Sequence, residues 1–241
     1  MLDARFSAKI VLLIVLLSSF AFVHLRSRRE VSVSNSIYLE KFSEYERTQG
    51  AKLHDTRWVD RIQKLDYELV EPQLYKRFTA DFKVLRVNIA GKAVLCVGAR
   101  LGGEVRAFAR LGALALGIDF NPGASNKFVL YGTATELQFA SNTFEVLYSN
   151  ILDHIDDLES FMKECKRVLK AGVGFLFLDV DQNKPDKWSV RDMRGQINTV
   201  IAMVQSIGLE LLSDKVIVRE KDKGKHALIF GPILSPSLAR L

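Results

Sequence analysis

A glycine-rich turn and an aspartate at a set distance after it are the residues of this chain best suited to hold a ligand. The apolar run AVLCV ends in the turn Gly98–Gly103, and the run ALALGI ends in Asp119, 21 residues after Gly98. Glycines let the backbone approach a ligand closely, and the next helix offers unpaired N–H groups. A carboxylate placed like Asp119 can accept hydrogen bonds from both hydroxyls of a ribose. We predict ribose binding there, the alternative being an aspartate that caps the turn before Pro122.

The composition of the turn limits the ligand class. It reads G-A-R-L-G-G rather than G-x-G-x-x-G, the fingerprint of dinucleotide sites, so a nicotinamide-dependent oxidoreductase is disfavoured. Glu104 follows the turn at the start of a helix, where a negative charge interacts favourably with the helix dipole. We favour that structural role for Glu104.

Strands that alternate with helices position the turn. Short apolar runs typical of buried strands are AVLCVG, ALALGID, KFVLYG, FEVLYSN and GFLFLDV. Helices are predicted over 104–112, 156–172 and 188–207, preceded by helices over 57–87 that break at Pro72. The last runs, LELLSDKVIV and KHALIFGPIL, flank a charged turn too short for a parallel crossover, which needs about a dozen residues. The pattern predicts an α/β fold with a doubly wound, mostly parallel sheet and a final antiparallel strand pair.

The N-terminus carries an uncharged apolar run, IVLLIVLLSSFAFV, over residues 10–23. A membrane span needs roughly 20 residues, with about 17 as a lower limit, so a slightly extended run suits a thin bilayer such as the endoplasmic reticulum or Golgi rather than the plasma membrane. We predict a single-pass anchor over 1–30 with its span at about 8–25, a stalk over 31–56 and a folded domain over 57–241. A cleaved signal peptide and a buried core helix are the alternatives.

Charge and cysteine content exclude several classes of function. The net charge is +6, but residues 1–30 hold five basic and two acidic residues, so the remainder carries only +3, which disfavours nucleic acid as a partner. Basic residues on both sides of the apolar run leave the membrane orientation open. Cys96 and Cys165 are too few for a disulfide framework or a cysteine metal site, and we predict two buried free thiols and no metal.

The stretch from Ala93 to Val180 resembles the type 11 group of class I S-adenosylmethionine-dependent methyltransferases, in particular plant members whose turn reads G-A-R-x-G. Its most specific part, Gly132–Gly174, holds Leu-x-Phe, an asparagine turn, a strand ending near a histidine, and a helix closing in Arg-Val-Leu-Lys-x-Gly. The resemblance implies a Rossmann-like, seven-stranded sheet with a final antiparallel pair, S-adenosyl-L-methionine as cofactor and a methyl acceptor of unknown identity. Residues 93–180 would form the cofactor-binding core, and 57–90 would cover it.

Carried over by position, the resemblance implies ten cofactor contacts. The methionine part would lie against Gly98, Ala99, Arg100 and Gly102, the ribose against Asp119, the adenine against Phe120, Thr133 and Ala134, and the methyl-donor cleft against Ser149 and Asn150. Three positions depart from the family pattern: Cys96 replaces an acid, Arg100 a middle glycine, and Thr133 an aspartate. The Arg100 guanidinium can contact the cofactor carboxylate or fill the pocket. The connection from 119 to 128 is also too short for a full helix.

These features predict a membrane-anchored methyltransferase acting on a small molecule or a protein rather than on nucleic acid. The sulfonium carries the reactive methyl group, so the protein must hold donor and acceptor in line. No catalytic residue is assigned. His154 is a candidate general base, but we favour a helix-start histidine held by Asp153 or Asp157, and Tyr148 is predicted to lie in the core. The alternative function is a degenerate methyltransferase fold that serves as a binding or scaffold protein at a membrane.

Overall fold

The computed structural model describes residues 56–122, 126–217 and 224–232, with side chains from residue 61 onward. The predicted anchor, 1–30, and all but the last residue of the predicted stalk lie outside the described residues. Within the described ranges, no helix combines the length and the apolar character needed to cross a membrane.

Seven strands form one sheet, and their order fixes where a ligand can bind. The order across the sheet is β3-β2-β1-β4-β5-β7-β6. The first five of these pair in parallel, whereas β7 runs antiparallel to both β5 and β6. The predicted sheet with its final antiparallel pair is confirmed, and the strand order reverses between β1 and β4. The strands are β1 (Ala93–Val97), β2 (Leu114–Asp119), β3 (Val129–Tyr131), β4 (Val146–Ser149), β5 (Phe175–Asp181), β6 (Leu209–Ile217) and β7 (Lys225–Pro232).

Helices cover both faces of the sheet. The predicted helices after β1 and before β5 are confirmed, the latter beginning where the Asp157 carboxylate accepts the Ser160 N–H. The helices are α1 (Thr56–Leu65), α2 (Glu71–Leu85), α3 (Gly103–Arg110), α4 (Leu158–Val168) and α5 (Ile197–Ser206), with a π-helical turn at Asp66–Val70 and a 3₁₀ turn at Leu152–His154.

The predicted helix break at Pro72 is wrong, because a π-helical turn just before Pro72 lets the helical segment continue past this residue. Pro72 lies in the first turn of α2, and it has no N–H to donate to the preceding turn. The backbone N–H of Glu71 donates instead to the Asp66 carbonyl, five residues back. This wider turn lets α1 and α2 run on as one helical segment.

The predicted helix over 188–207 is also wrong over its first half, since α5 begins only at Ile197. Short polar side chains hold the preceding loop by competing for its backbone N–H groups. The Asp186 carboxylate accepts the N–H groups of Trp188 and Ser189, and the Val190 N–H donates to the Asp153 carbonyl at 2.9 Å. The loop is thereby fastened to the 3₁₀ turn that follows β4.

Two apolar layers bury the sheet on both faces. One packs α4 and α5 against the sheet, and the other packs α2 and α3 against it. In the second layer Phe78 stacks on Phe108 with ring centroids 4.2 Å apart and meets Tyr148 edge-on at 5.3 Å. Tyr148 is therefore a core residue, as predicted. Cys96 and Cys165 are buried free thiols, as predicted, and burial raises the pKa of both.

Candidate functional site

The turn after β1 adopts a conformation that glycine permits. Gly98 and Gly102 have φ angles of +82° and +83°, and Arg100 between them has φ +29°, a region that side-chain-bearing residues rarely adopt. A Cβ atom at Gly98 would lie 2.5 Å from Cγ2 of Ile151, the residue that follows Asn150 after β4. The turn thus lies against the end of β4, at the point where the strand order reverses and ligands bind in such sheets.

Asp119 lies at the same edge, as its spacing predicted. Its Oδ2 accepts the Arg100 N–H at 3.0 Å, and its Oδ1 accepts the Asn121 N–H at 2.7 Å. Burial raises the pKa of this carboxyl, while the two N–H donors oppose that rise. The turn-capping role is therefore present. A carboxylate has about four acceptor positions, so it retains capacity for ribose hydroxyls.

Asn126, which the sequence did not single out, ties the turn to the loop after β2. Its Nδ2 donates to the carbonyls of Arg100 at 2.7 Å and Pro122 at 3.1 Å. Its Oδ1 accepts the N–H groups of Phe128 and Val129. An asparagine in a short loop is a common turn signal, but its partners are visible only after folding. Residues 123–125 lie outside the described part, and the described residues on either side of them form no helix, as expected.

The residues assigned to the adenine, Phe120, Thr133 and Ala134, come just after the ends of β2 and β3. The Phe120 ring lies 5.5 Å from that of Tyr131, centroid to centroid. Thr133 Oγ1 donates to the Glu136 carbonyl at 3.4 Å, and Ala134 packs against the α4 layer. Phe120 and Tyr131 therefore present two aromatic rings beside Asp119.

Two assigned residues lie at the end of β4: Ser149, which is enclosed in the core, and Asn150, which contacts the start of α3. Ser149 is fully buried, and its Oγ has no hydrogen-bond partner among the described residues. Asn150 Nδ2 donates to Oε1 of Glu104 at 3.2 Å. Asn150 thus joins β4 to the first turn of α3.

Glu104 lies in the first turn of α3, as predicted, and its side chain is buried there. Burial raises its pKa from 4.5 to about 7, and the charges of Asp66 and Asp119 act in the same direction. The carboxyl follows the turn after β1 and accepts a hydrogen bond from Asn150 after β4, so it lies near the carboxyl ends of these two strands.

An ion cluster fastens the N-terminal helices to the turn. Arg106 of α3 pairs with Asp66 and, through Nε, with Glu71 at 2.9 Å, and its Nη1 donates to the Leu101 carbonyl at 2.9 Å. Its guanidinium also lies over the Tyr67 ring, 3.9 Å from the centroid. The π-helical turn, a feature often found at functional sites, is thereby held against the glycine turn.

His154 lies at the same edge but is held by its neighbours. Its Nε2 is 3.5 Å from Asp153 Oδ2, and its Nδ1 is 3.4 Å from the Trp188 carbonyl. It ends the 3₁₀ turn Leu152–His154 that follows β4. These contacts fit the structural role favoured from the sequence.

A separate acid-rich cavity of about 410 Å³ opens beside the loops that follow β4 and β5. Four carboxylates line it against one arginine, together with apolar groups from α4 and α5. No cluster suited to a metal ion occurs among the residues with described side chains. The charged lining residues are Asp156, Asp157, Glu159, Asp192 and Arg191.

Sequence and structure comparisons point to the same region. Residues 95–177 match a sequence family described as "Methyltransferase domain", which supports S-adenosylmethionine as the cofactor. No curated protein matches the chain in sequence.

Solved methyltransferase structures share the fold at low sequence identity. The 1,6-didemethyltoxoflavin-N1-methyltransferase of Burkholderia thailandensis, solved with bound 1,6-didemethyltoxoflavin and S-adenosylhomocysteine, is 12% identical with a TM-score of 0.60 over 86% of this chain and 93% of its own. A SAM-dependent methyltransferase of Aquifex aeolicus is 17% identical with a TM-score of 0.52 over 72% and 98%. At these identities the likeness supports the class I methyltransferase fold alone.

Proposed function

We propose that this chain is an S-adenosylmethionine-dependent methyltransferase whose cofactor lies across the carboxyl ends of β1, β2 and β4. One observation carries the proposal. The glycine turn is bonded through the Arg100 N–H to Asp119 at the switch point of the sheet, inside the stretch that matches the methyltransferase domain. The ten residues assigned from the resemblance are the proposed contacts, with Phe120 and Thr133 at the adenine.

The residues present fit such a cofactor. The turn brings backbone rather than side chains to the site at Gly98 and Gly102, and Asp119 retains acceptor capacity for a ribose. When bound, S-adenosylmethionine supplies an electrophilic methyl group on its sulfonium. The chain's own residues orient that group and exclude water. His154 remains a candidate for removing a proton from the acceptor, because it lies in the 3₁₀ turn after β4, at the same edge of the sheet.

We further propose a small molecule or a protein as the methyl acceptor rather than nucleic acid. Four carboxylates against one arginine line the cavity beside the β4 and β5 loops, and such a surface repels phosphate groups. The anchor over residues 1–30 and a location in the endoplasmic reticulum or Golgi membrane stay proposals from the apolar run. Resistance of the full chain to alkaline carbonate extraction from membranes would support the anchor, and full release would contradict it.

Calorimetric titration of the full chain with S-adenosylhomocysteine and S-adenosylmethionine tests the cofactor site. We expect a dissociation constant at or below about 100 μM, weakened at least about tenfold in Asp119→Ala because a charged acceptor is lost. The matched control is Asp214→Ala, at a carboxylate on β6 that contacts His226 and should leave binding unchanged.

Absence of binding by the folded chain would contradict the enzyme function. It would favour the second candidate, a degenerate methyltransferase fold that acts as a binding or scaffold protein. That candidate is supported by the residues at Cys96, Arg100 and Thr133, the last of which contacts the Glu136 carbonyl.

A further inference from the structure

Among the described residues, five acidic side chains are buried, and four of them form an ion pair with a basic side chain. Asp66 and Glu71 both pair with Arg106. Asp81 pairs with Lys215 at 2.6 Å, and Asp179 pairs with Arg77 at 2.7 Å. Glu104 is the fifth, and no lysine, arginine or histidine of the described part forms an ion pair with it. Buried carboxylates are seldom left without a cation.

The charged groups around Glu104 do not compensate for the missing basic partner. The charged groups that act most strongly on it are the carboxyls of Asp66 and Asp119, which carry the same sign. The carboxyl accepts hydrogen bonds from the neutral amide of Asn150 and from the backbone N–H of Glu104 itself. Neither donor carries a positive charge, so a small cation with N–H donors would complement this carboxyl.

We propose that Glu104 of α3 binds the ammonium group of the cofactor's methionine part. This inference rests on the proposed function. Glu104 follows the glycine turn directly and lies near the carboxyl ends of β1 and β4, where the methionine part is assigned. The sulfonium is also positive but has no N–H to donate, whereas the ammonium has three.

A pair of ligands that differ only in the ammonium tests the proposal in the full chain. S-adenosylhomocysteine and its desamino analogue are titrated into the wild type and Glu104→Gln. We expect removal of the amino group to weaken binding to the wild type about tenfold to a hundredfold, as for a hydrogen bond between charged groups. In Glu104→Gln the same removal should cost less than about threefold. Glu210→Gln, at an exposed site on β6, is the control and should retain the wild-type ratio.

The outcomes separate the two proposals. If the wild type binds neither ligand, the proposed function and this inference both fail. If it binds both equally, or if Glu104→Gln keeps the wild-type ratio, the cofactor site stands and the role of Glu104 is overturned. A merely structural role for Glu104 would weaken both ligands alike.

Proton release on binding gives a second readout that needs no variant. A carboxyl with a pKa of about 7 is half protonated at pH 7, so a cation that ionises it releases about half a proton. Titrations in buffers of different ionisation enthalpy measure this number. The other titratable groups that interact electrostatically with Glu104 are Asp66, Asp119, Cys96 and Tyr148. Repeating the measurement with the desamino analogue removes only the ammonium contribution. Equal release with both ligands would contradict the inference.

Discussion

Replacing Glu104 by glutamine should stabilise the unliganded chain at neutral and alkaline pH. The side chain keeps its size, and the buried charge is lost. Burial raises the pKa of Glu104 from 4.5 to about 7, and one pKa unit corresponds to about 1.4 kcal/mol. Ionisation of Glu104 therefore destabilises the fold by about 3 kcal/mol.

The sign of this effect sets the pH range. The folded chain holds the Glu104 proton more tightly than the unfolded chain, so the wild type loses stability as pH rises from about 4.5 to about 7. The variant has no such proton. Its free energy of unfolding, relative to wild type, should therefore rise by about 2–3 kcal/mol between pH 5 and pH 8. Any cost of packing the amide is the same at every pH and cancels from this difference.

Urea denaturation of both proteins from pH 5 to pH 8 measures the difference, with fluorescence or circular dichroism as the probe. Asp66 and Asp119 are present in both proteins, so only the part of their titration that depends on the Glu104 charge enters the difference. The exposed Glu210→Gln variant should follow the wild type throughout. A stability difference between Glu104→Gln and wild type that stays constant within about 0.5 kcal/mol over this range would refute the reasoning.

Three further substitutions test the site and its support. Gly98→Ala should abolish binding of S-adenosylhomocysteine and cost about 1–3 kcal/mol of stability, because φ is +82° and the new Cβ atom would clash with Ile151. The control is Gly91→Ala, where φ is +75° and no atom lies within 4 Å of the new Cβ. This variant should be strained but bind the ligand normally. Tyr148→Phe removes the 2.8 Å hydrogen bond to Asp179 and should cost about 1–2 kcal/mol by denaturation, with unchanged ligand affinity if the ring is only a core residue. Asp157→Ala removes the cap of α4 and should cost about 1 kcal/mol; a neutral result would show that α4 is held by packing alone.

The turn and Asp119 could be located from sequence because their information is local. Apolar runs that end in glycine or aspartate define buried parallel strands, and parallel strands bring their carboxyl ends to one edge. Spacing alone therefore placed Asp119 beside the Gly98 turn. The closing strand pair followed in the same way from a connection too short for a crossover.

The two helix errors have a common cause. Periodicity reports which residues are apolar, but it does not report where backbone hydrogen bonds go. Pro72 is accommodated because Glu71 donates to the Asp66 carbonyl. The helix predicted from residue 188 is replaced by a loop held at Asp186. Both outcomes depend on hydrogen-bond partners that a helical pattern does not encode.

The sequence by itself determined the order of strands and helices along the chain and the residues of the glycine turn after β1. It also determined that a ligand would lie at the carboxyl ends of the parallel strands. Only the tertiary structure decided the state of Glu104. Its position in the chain predicts a carboxylate at the start of a helix, but it does not predict that folding buries this carboxylate beside Asn150. The physical reason is that the desolvation of a charge, and the presence or absence of a cation beside it, depend on residues distant in sequence.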